Sequence, residues 1–366
     1  MNRTLRRIAA PGIAVLALSL SVAACGSSDN NNSGDTGSTS SGLSGKVAGG
    51  GSSAQEVAQE AWRAGFGQDN PDVTISYDSV GSGTGRENFI SGAFKFAGTD
   101  SAMSDEELAS AKTQCGSDVV EVPVYISPID VTYTLKGVDN LQLSPKTLAN
   151  IFNGTIKTWD DAAIKADNPD ATLPSTKITT VHRSDSSGTT ANFTDYLYKA
   201  SEGAWTTEGS SDWPTKSGES GEGNPGVLNA VKAGDGTIGY NDDSVVVNSG
   251  VSIAKIKVGS EYVAPSADGA AAGLAASALK SGTAPTVLTY DVNRTSTDPS
   301  TYPIFMASVE VACLKYSDAD TGKIVKGFLS YMVSDEGQKA AAANAYSAPL
   351  PADIAAKAAD IVAQIQ

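Results

Sequence analysis

Apolar residues follow two rhythms along this chain, and the rhythms alternate. Val73, Ile75 and Tyr77 recur at every second position, the spacing of a half-buried strand. Ala54, Val57, Ala58, Ala61 and Trp62 recur at the helical interval just before them. Further strands are predicted at 94–96, 119–125, 129–135, 178–181, 237–240, 244–247, 286–290 and 308–314. Helical spacing returns at 105–112, 148–152, 227–232, 267–280, 324–333 and 354–365, and on the face shared by Phe193, Tyr196 and Leu197. Ser104 with Glu107 forms the signature of a capping box. Pro123 and Pro128 restrict where their strands can pair. Residues 202–226, rich in Gly, Ser and Pro, read as a long surface loop. Alternation of this kind predicts an α/β architecture.

The N-terminus breaks the pattern. Arg3, Arg6 and Arg7 precede an apolar run, which ends in Val22-Ala23-Ala24-Cys25-Gly26. A basic start, a short apolar run and small residues before Cys read as a signal peptide over 1–24, with Cys25 as the lipidated residue. Residues 26–42 contain only Gly, Ser, Asn, Asp and Thr, too polar to fold. Residues 25–44 therefore read as a disordered tether, of reach about 20–25 Å. The expectation is an exported protein, anchored to the outer face of the cell membrane through Cys25.

Charge and cysteine content narrow the partners. The chain has 26 Lys and Arg against 41 Asp and Glu, which argues against nucleic acid. Any anion it binds must be held by local dipoles and hydrogen bonds. Beyond Cys25 only Cys115 and Cys313 remain, either paired in a disulfide or present as two buried thiols. His182 is the single histidine and no CxxC occurs, so neither a metal site nor a cofactor is predicted.

The candidate chemistry lies in three turns, each between a strand and a helix. Ser52-Ser53 opens the first helix, Gly81-Ser82-Gly83-Thr84-Gly85 the second, and Ser187-Gly188-Thr189 the third. The first amides of a helix have no intrahelical acceptor, and the dipole adds partial positive charge there. In open sheets such turns gather beyond the carboxyl ends of the strands. Arg183 adds a planar fork of donors suited to a tetrahedral oxyanion, and Asp185 is placed to hold the fork. GSGTG fits neither GxGxxG nor the P-loop, which disfavours a nucleotide.

In order, GGGSS (49–53), YDSVGSGTG (77–85), AGTDSAMSDEEL (97–108), NGTIKTWDDAAI (153–164), HRSDSSGTT (182–190) and GTIGY (236–240) resemble the phosphate-binding lipoprotein of the phosphate-specific ABC transporter. The resemblance implies a two-lobed periplasmic-binding-protein-like fold of type II, with two hinge crossovers. These fall near 126–129 and 297–303, giving lobe 1 as 45–127 plus 300–366 and lobe 2 as 128–299. It implies phosphate contacts from Ser53, Ala54, Ser82, Asp100, Arg183, Ser187, Gly188 and Thr189, with Asp185 orienting the arginine. The chain departs from the family in having Ser53-Ala54 where Thr and an aromatic are usual. The implied function is capture of inorganic phosphate between the lobes and delivery to the permease subunits of an ABC transporter, without catalysis. Asp100 suits a protonated anion, because phosphate keeps a proton to donate and sulfate has none. The competing readings are a secreted phosphate-ester hydrolase, and a binding protein for another oxyanion.

Overall fold

The computed structural model describes residues 42–366. The predicted signal segment 1–24, Cys25 and the tether up to residue 41 lie outside the described residues.

Three strand–helix units open the fold. Strand β1 (Gly45–Gly51), helix α1 (Glu56–Asp69), strand β2 (Val73–Asp78), helix α2 (Ser82–Ile90), strand β3 (Phe96–Thr99) and helix α3 (Asp105–Cys115) follow one another. β1 lies between β2 and β3 and pairs parallel with both. The helical crossovers make the strands parallel, so their carboxyl ends finish on one edge and present the turns after 51, 78 and 99 together. The antiparallel strand Phe305–Cys313 pairs with β3 on one side and with β4 (Val119–Thr134) on the other. The sheet then continues from β4 through Thr237–Asp242 and Thr179–Arg183 to Glu219–Gly221.

β4 is one strand of 16 residues where two were expected, at 119–125 and 129–135. Its first half pairs with Phe305–Cys313 and its second half with Thr237–Asp242. Each proline stands where the ladder is already interrupted. Pro123 faces Val309, beside a register shift between Ser308 and Val309, and Pro128 is the last residue before the partner changes. A bulge or a change of partner absorbs the missing N–H. Segment 244–247, expected as a strand, is the short helix Asp243–Val246, because the Asp242 carboxylate accepts from the Ser244 amide and caps it. Segment 286–290 contributes only an isolated bridge from Val287 to Glu121 and the start of a two-residue strand, Tyr290–Asp291. The capping box on α3 is formed, Ser104 accepting from the Glu107 amide and Glu107 from the Ser104 amide.

Two apolar cores result. Val47, Trp62, Phe96, Phe328 and Met332 centre the first; Ile129, Phe152, Trp159, Phe193 and Tyr240 centre the second. Each large side chain buried this completely contributes about 1.5–3 kcal/mol. β4 passes from one core to the other at 128–129, and Tyr302, Ile304 and Met306 of the returning chain join the second core. The fold is thus two-lobed α/β, and β4 is one of the segments that cross between the cores. Ala270 and Leu274 of helix Ala267–Ala275 pack into the first core, although 128–299 was expected to belong wholly to the second lobe.

Cys115 and Cys313 form a disulfide, with their Cα atoms 5.4 Å apart and a sequence separation of 198. Both residues sit in one apolar cluster with Phe89 and Val119, so the bond does not tie the two cores together. Closing so long a loop restricts the unfolded chain, with a contribution of about 2–5 kcal/mol. Guanidinium unfolding with and without reductant is expected to show a loss of that size. Ligand affinity measured on the reduced, folded protein is expected to stay as it was.

Candidate functional site

Asp100 follows β3 directly, and its side chain is buried where the turns converge. Ser52 Oγ donates to Asp100 Oδ2 at 2.7 Å, and Ser82 Oγ approaches the same oxygen at 3.4 Å. The Asp100 amide in turn donates to Ser82 Oγ at 3.2 Å. Ser308 Oγ donates to the other oxygen, Oδ1. Burial pushes the Asp100 carboxyl upward, while the bonds from Ser308 and Ser52 and the charge of Arg183 pull it back. A buried carboxylate ringed by hydroxyl donors acts as an acceptor aimed at a proton on whatever lies opposite.

Arg183 ends the strand Thr179–Arg183, and its side chain is 1% exposed. Nε donates to Asp185 Oδ1 at 2.8 Å and Nη2 donates to Oδ2, leaving Nη1 outside the pair. The Gly223 amide donates to Asp185 Oδ1 as well, at 3.0 Å. Burial works to raise the Asp185 carboxyl, but the bonds and charge of Arg183 outweigh it and hold the group below its ordinary range. The pair fixes the plane of the guanidinium, so its remaining edge is preset for a planar or tetrahedral anion.

Helix Gly188–Ala200 starts beside Asp100. A Cβ added to Gly188 would lie 2.6 Å from Asp100 Cβ and 2.9 Å from Asp100 Cα, so glycine alone permits this approach. Gly81 has φ 86° and comes equally near Asp185, where a Cβ would sit 2.5 Å from Oδ2. Hydrogen bonds join the two halves around this point. The Gly83 amide donates to the Ser186 carbonyl at 3.1 Å, and Asn192 Nδ2 donates to the Asp100 carbonyl at 2.6 Å. The Asn224 amide and its Nδ2 donate to Ser53 Oγ at 3.1 and 3.2 Å. This is the closed arrangement of two halves. Gly188→Ala is expected to weaken ligand binding by about five- to a hundredfold, because overpacking by a methyl costs about 1–3 kcal/mol in the closed form alone. Titration calorimetry on the variant reads this directly.

The structure therefore brings Ser53, Ser82, Asp100, Arg183, Gly188 and Thr189 to one buried locus, with Asp185 behind the arginine. The first-turn amides of Gly188 and Thr189 have no acceptor within their own helix. Ala54 is buried among the second core, and its amide donates to Ser52 Oγ at 3.0 Å. Ser187 caps its helix by accepting from the Thr190 amide, and its own amide donates to the Ser211 carbonyl. His182 is stacked on Trp213 with ring centroids 5.0 Å apart, its Nδ1 2.8 Å from the Arg183 carbonyl. Among the described residues no group of His, Cys, Asp and Glu is arranged to hold a metal ion.

Sequence reasoning missed three contributors. Ser308 reaches Asp100 across 208 positions of chain. Asn224 Nδ2 donates to Thr189 Oγ1 at 3.3 Å as well as to Ser53 Oγ, linking the first and third turns. Asn192 is one helical turn past Gly188, and only that i, i+4 spacing hinted at a shared face.

Comparison with known proteins speaks to family and fold. The model of the PBP superfamily domain matches residues 36–336. Phosphate-binding protein PstS3 of Mycobacterium bovis (strain BCG / Pasteur 1173P2) is 37% identical over 342 residues, covering 91% of each chain. Phosphate-binding protein PstS of Methanocaldococcus jannaschii is 32% identical over 302 residues, covering 76% of each. Among solved structures, a high-affinity periplasmic phosphate-binding protein, PfluDING, bound with phosphate, superposes with a TM-score of 0.70 at 23% identity. That similarity covers 85% of this chain and 92% of the other and speaks for the fold.

Proposed function

We propose a function from one premise: the chain belongs to the PBP superfamily, among its PstS phosphate-binding proteins. It captures inorganic phosphate between its two lobes and hands it to the permease of an ABC transporter. The observation that carries this reading is the setting of Asp100. A buried acceptor carboxylate stands beside the Arg183 fork and a helix N-terminus, with parts of both halves closed around it. Fully deprotonated oxyanions such as sulfate meet an unmatched acceptor there. Phosphate keeps a proton at neutral pH and satisfies it. We assign the contacts to Ser53, Ala54, Ser82, Asp100, Arg183, Ser187, Gly188 and Thr189, with Asp185 fixing the arginine. On this assignment the amides of Ala54 and Ser187 exchange their present partners for the anion as it enters.

Binding without turnover is part of the proposal. The relatives are named as binding proteins, and His182 is held against Trp213 instead of facing Asp100. Export and lipid anchoring at Cys25 follow from the Val22–Gly26 pattern and suit a receptor that works beside a membrane permease. Calorimetric titration with phosphate, sulfate and molybdate tests the reading. Saturable binding of phosphate with little heat from the other two is expected, and equal binding of sulfate overturns it.

A further inference from the structure

Ser308 lies on the strand Phe305–Cys313, beside the register shift that faces Pro123. Its hydroxyl donates to Asp100 Oδ1 and accepts from Gln55 Nε2 at 3.1 Å. A hydroxyl has one proton, so the donor from Gln55 turns that proton toward Asp100. Gln55 is itself oriented: Nε2 also donates to the Val309 carbonyl at 3.2 Å, and Oε1 accepts from Gln59 Nε2 at 3.0 Å. Gln59 Nε2 donates in addition to Glu310 Oε1 at 2.6 Å. Gln55, Gln59, Ser308 and Glu310 are all 0% exposed. Four buried side chains thus form a directional chain of hydrogen bonds that ends on the carboxylate at the centre of the site.

We infer that Ser308, oriented by Gln55, Gln59 and Glu310, is a specificity-determining residue that keeps Asp100 an acceptor and so sets the pH range over which a protonated anion is chosen over sulfate. This rests on the phosphate reading above. An ionised Asp100 accepts the proton of phosphate and repels sulfate. A protonated Asp100 becomes a donor, and sulfate then meets a partner instead of a repulsion. Whatever holds Asp100 ionised therefore holds the selectivity.

Asp100 lines a cavity with Asp195, Lys199, Lys280, Asp291 and Arg294, and Arg86 donates to its neighbours Thr99 and Ser101. Arg183 with Asp185 faces Asp100 from the other half, Glu310 from the strand that carries Ser308, and Tyr77 from β2. Burial pushes Glu310 well above the usual carboxylate range, with the charge of Asp100 adding to the effect, and its Oε1 accepts from Gln59. Burial likewise pushes Tyr77 upward and keeps it neutral. Arg183 and the hydroxyls are left to oppose the burial of Asp100, and among them Ser308 has the largest effect.

The test is the ratio of sulfate to phosphate affinity, followed from neutral to acid pH, in wild type, Ser308→Ala, Ser308→Cys and Ser308→Thr. Losing a hydrogen bond to a charged group raises the midpoint at which sulfate begins to bind by about one to two pH units. That rise is expected in Ser308→Ala, and in the same direction in Ser308→Cys, whose thiol donates weakly and nearly preserves the packing should the alanine variant fold poorly. Ser308→Thr keeps the hydroxyl, and the wild-type profile is expected. Selective wild type with unmoved profiles in the alanine and cysteine variants overturns the role of Ser308 alone. Wild type that takes up no phosphate at neutral pH overturns the functional reading itself.

Discussion

Arg183→Ala is expected to weaken phosphate binding by about ten- to a hundredfold, since a charge-assisted hydrogen bond contributes roughly 1.5–3 kcal/mol. Two changes act together. The anion loses the guanidinium placed at the site, and Asp185 is left with the Gly223 amide in place of its main partner. An unpaired carboxylate so near the anion adds repulsion, which puts the effect toward the upper end of the range. Arg183→Lys keeps the charge but not the fork, and its affinity is expected between the two. The measurement is titration calorimetry, with thermal unfolding of each variant to confirm that the fold survives. An affinity equal to wild type would remove Arg183 from the site.

Asp100→Ala is expected to act on selectivity more than on affinity. Ser52, Ser82 and Ser308 all donate to this carboxylate. Without it they turn toward the ligand as three neutral donors in a buried space, and sulfate is as welcome as phosphate. A buried acceptor left without its donor costs about 1–3 kcal/mol and more when charged, so the discrimination removed is about tenfold to several hundredfold. Competition between the two anions for one site measures the ratio directly. A ratio unchanged from wild type would show that the acceptor lies elsewhere.

Much of this site was legible because its chemistry is local. Strand, polar turn and helix occur in sequence order at Ser52-Ser53, Ser82 and Ser187–Thr189, and Asp185 sits two residues from the arginine it holds. The parts that were not legible depend on pairing between distant segments. Nothing near Ser308 in the chain announces that it meets Asp100, because that contact exists only once Phe305–Cys313 is laid antiparallel against β3 and β4. The unbroken β4 was hidden for the same reason. Two prolines in a run normally split it, and here a bulge and a change of partner strand accommodate them. Ser52 was seen as part of the first turn, but its bond to Asp100 appeared only with the parallel register of β1 and β3. Helix Ala267–Ala275 shows a further limit. Its alanine pattern marks a helix but carries no sign of which core receives it, and it packs on the first.

Closure by the ligand is the claim on which the whole account turns, and an interlobe distance reports it most directly. Fluorophores placed at Glu60 and Asp170, both exposed and each in a different half, would follow energy transfer while anion is titrated. A saturable rise in transfer with phosphate, and none with sulfate at neutral pH, is the predicted result. A distance that stays constant through full phosphate saturation, or that shortens equally with sulfate, would contradict it.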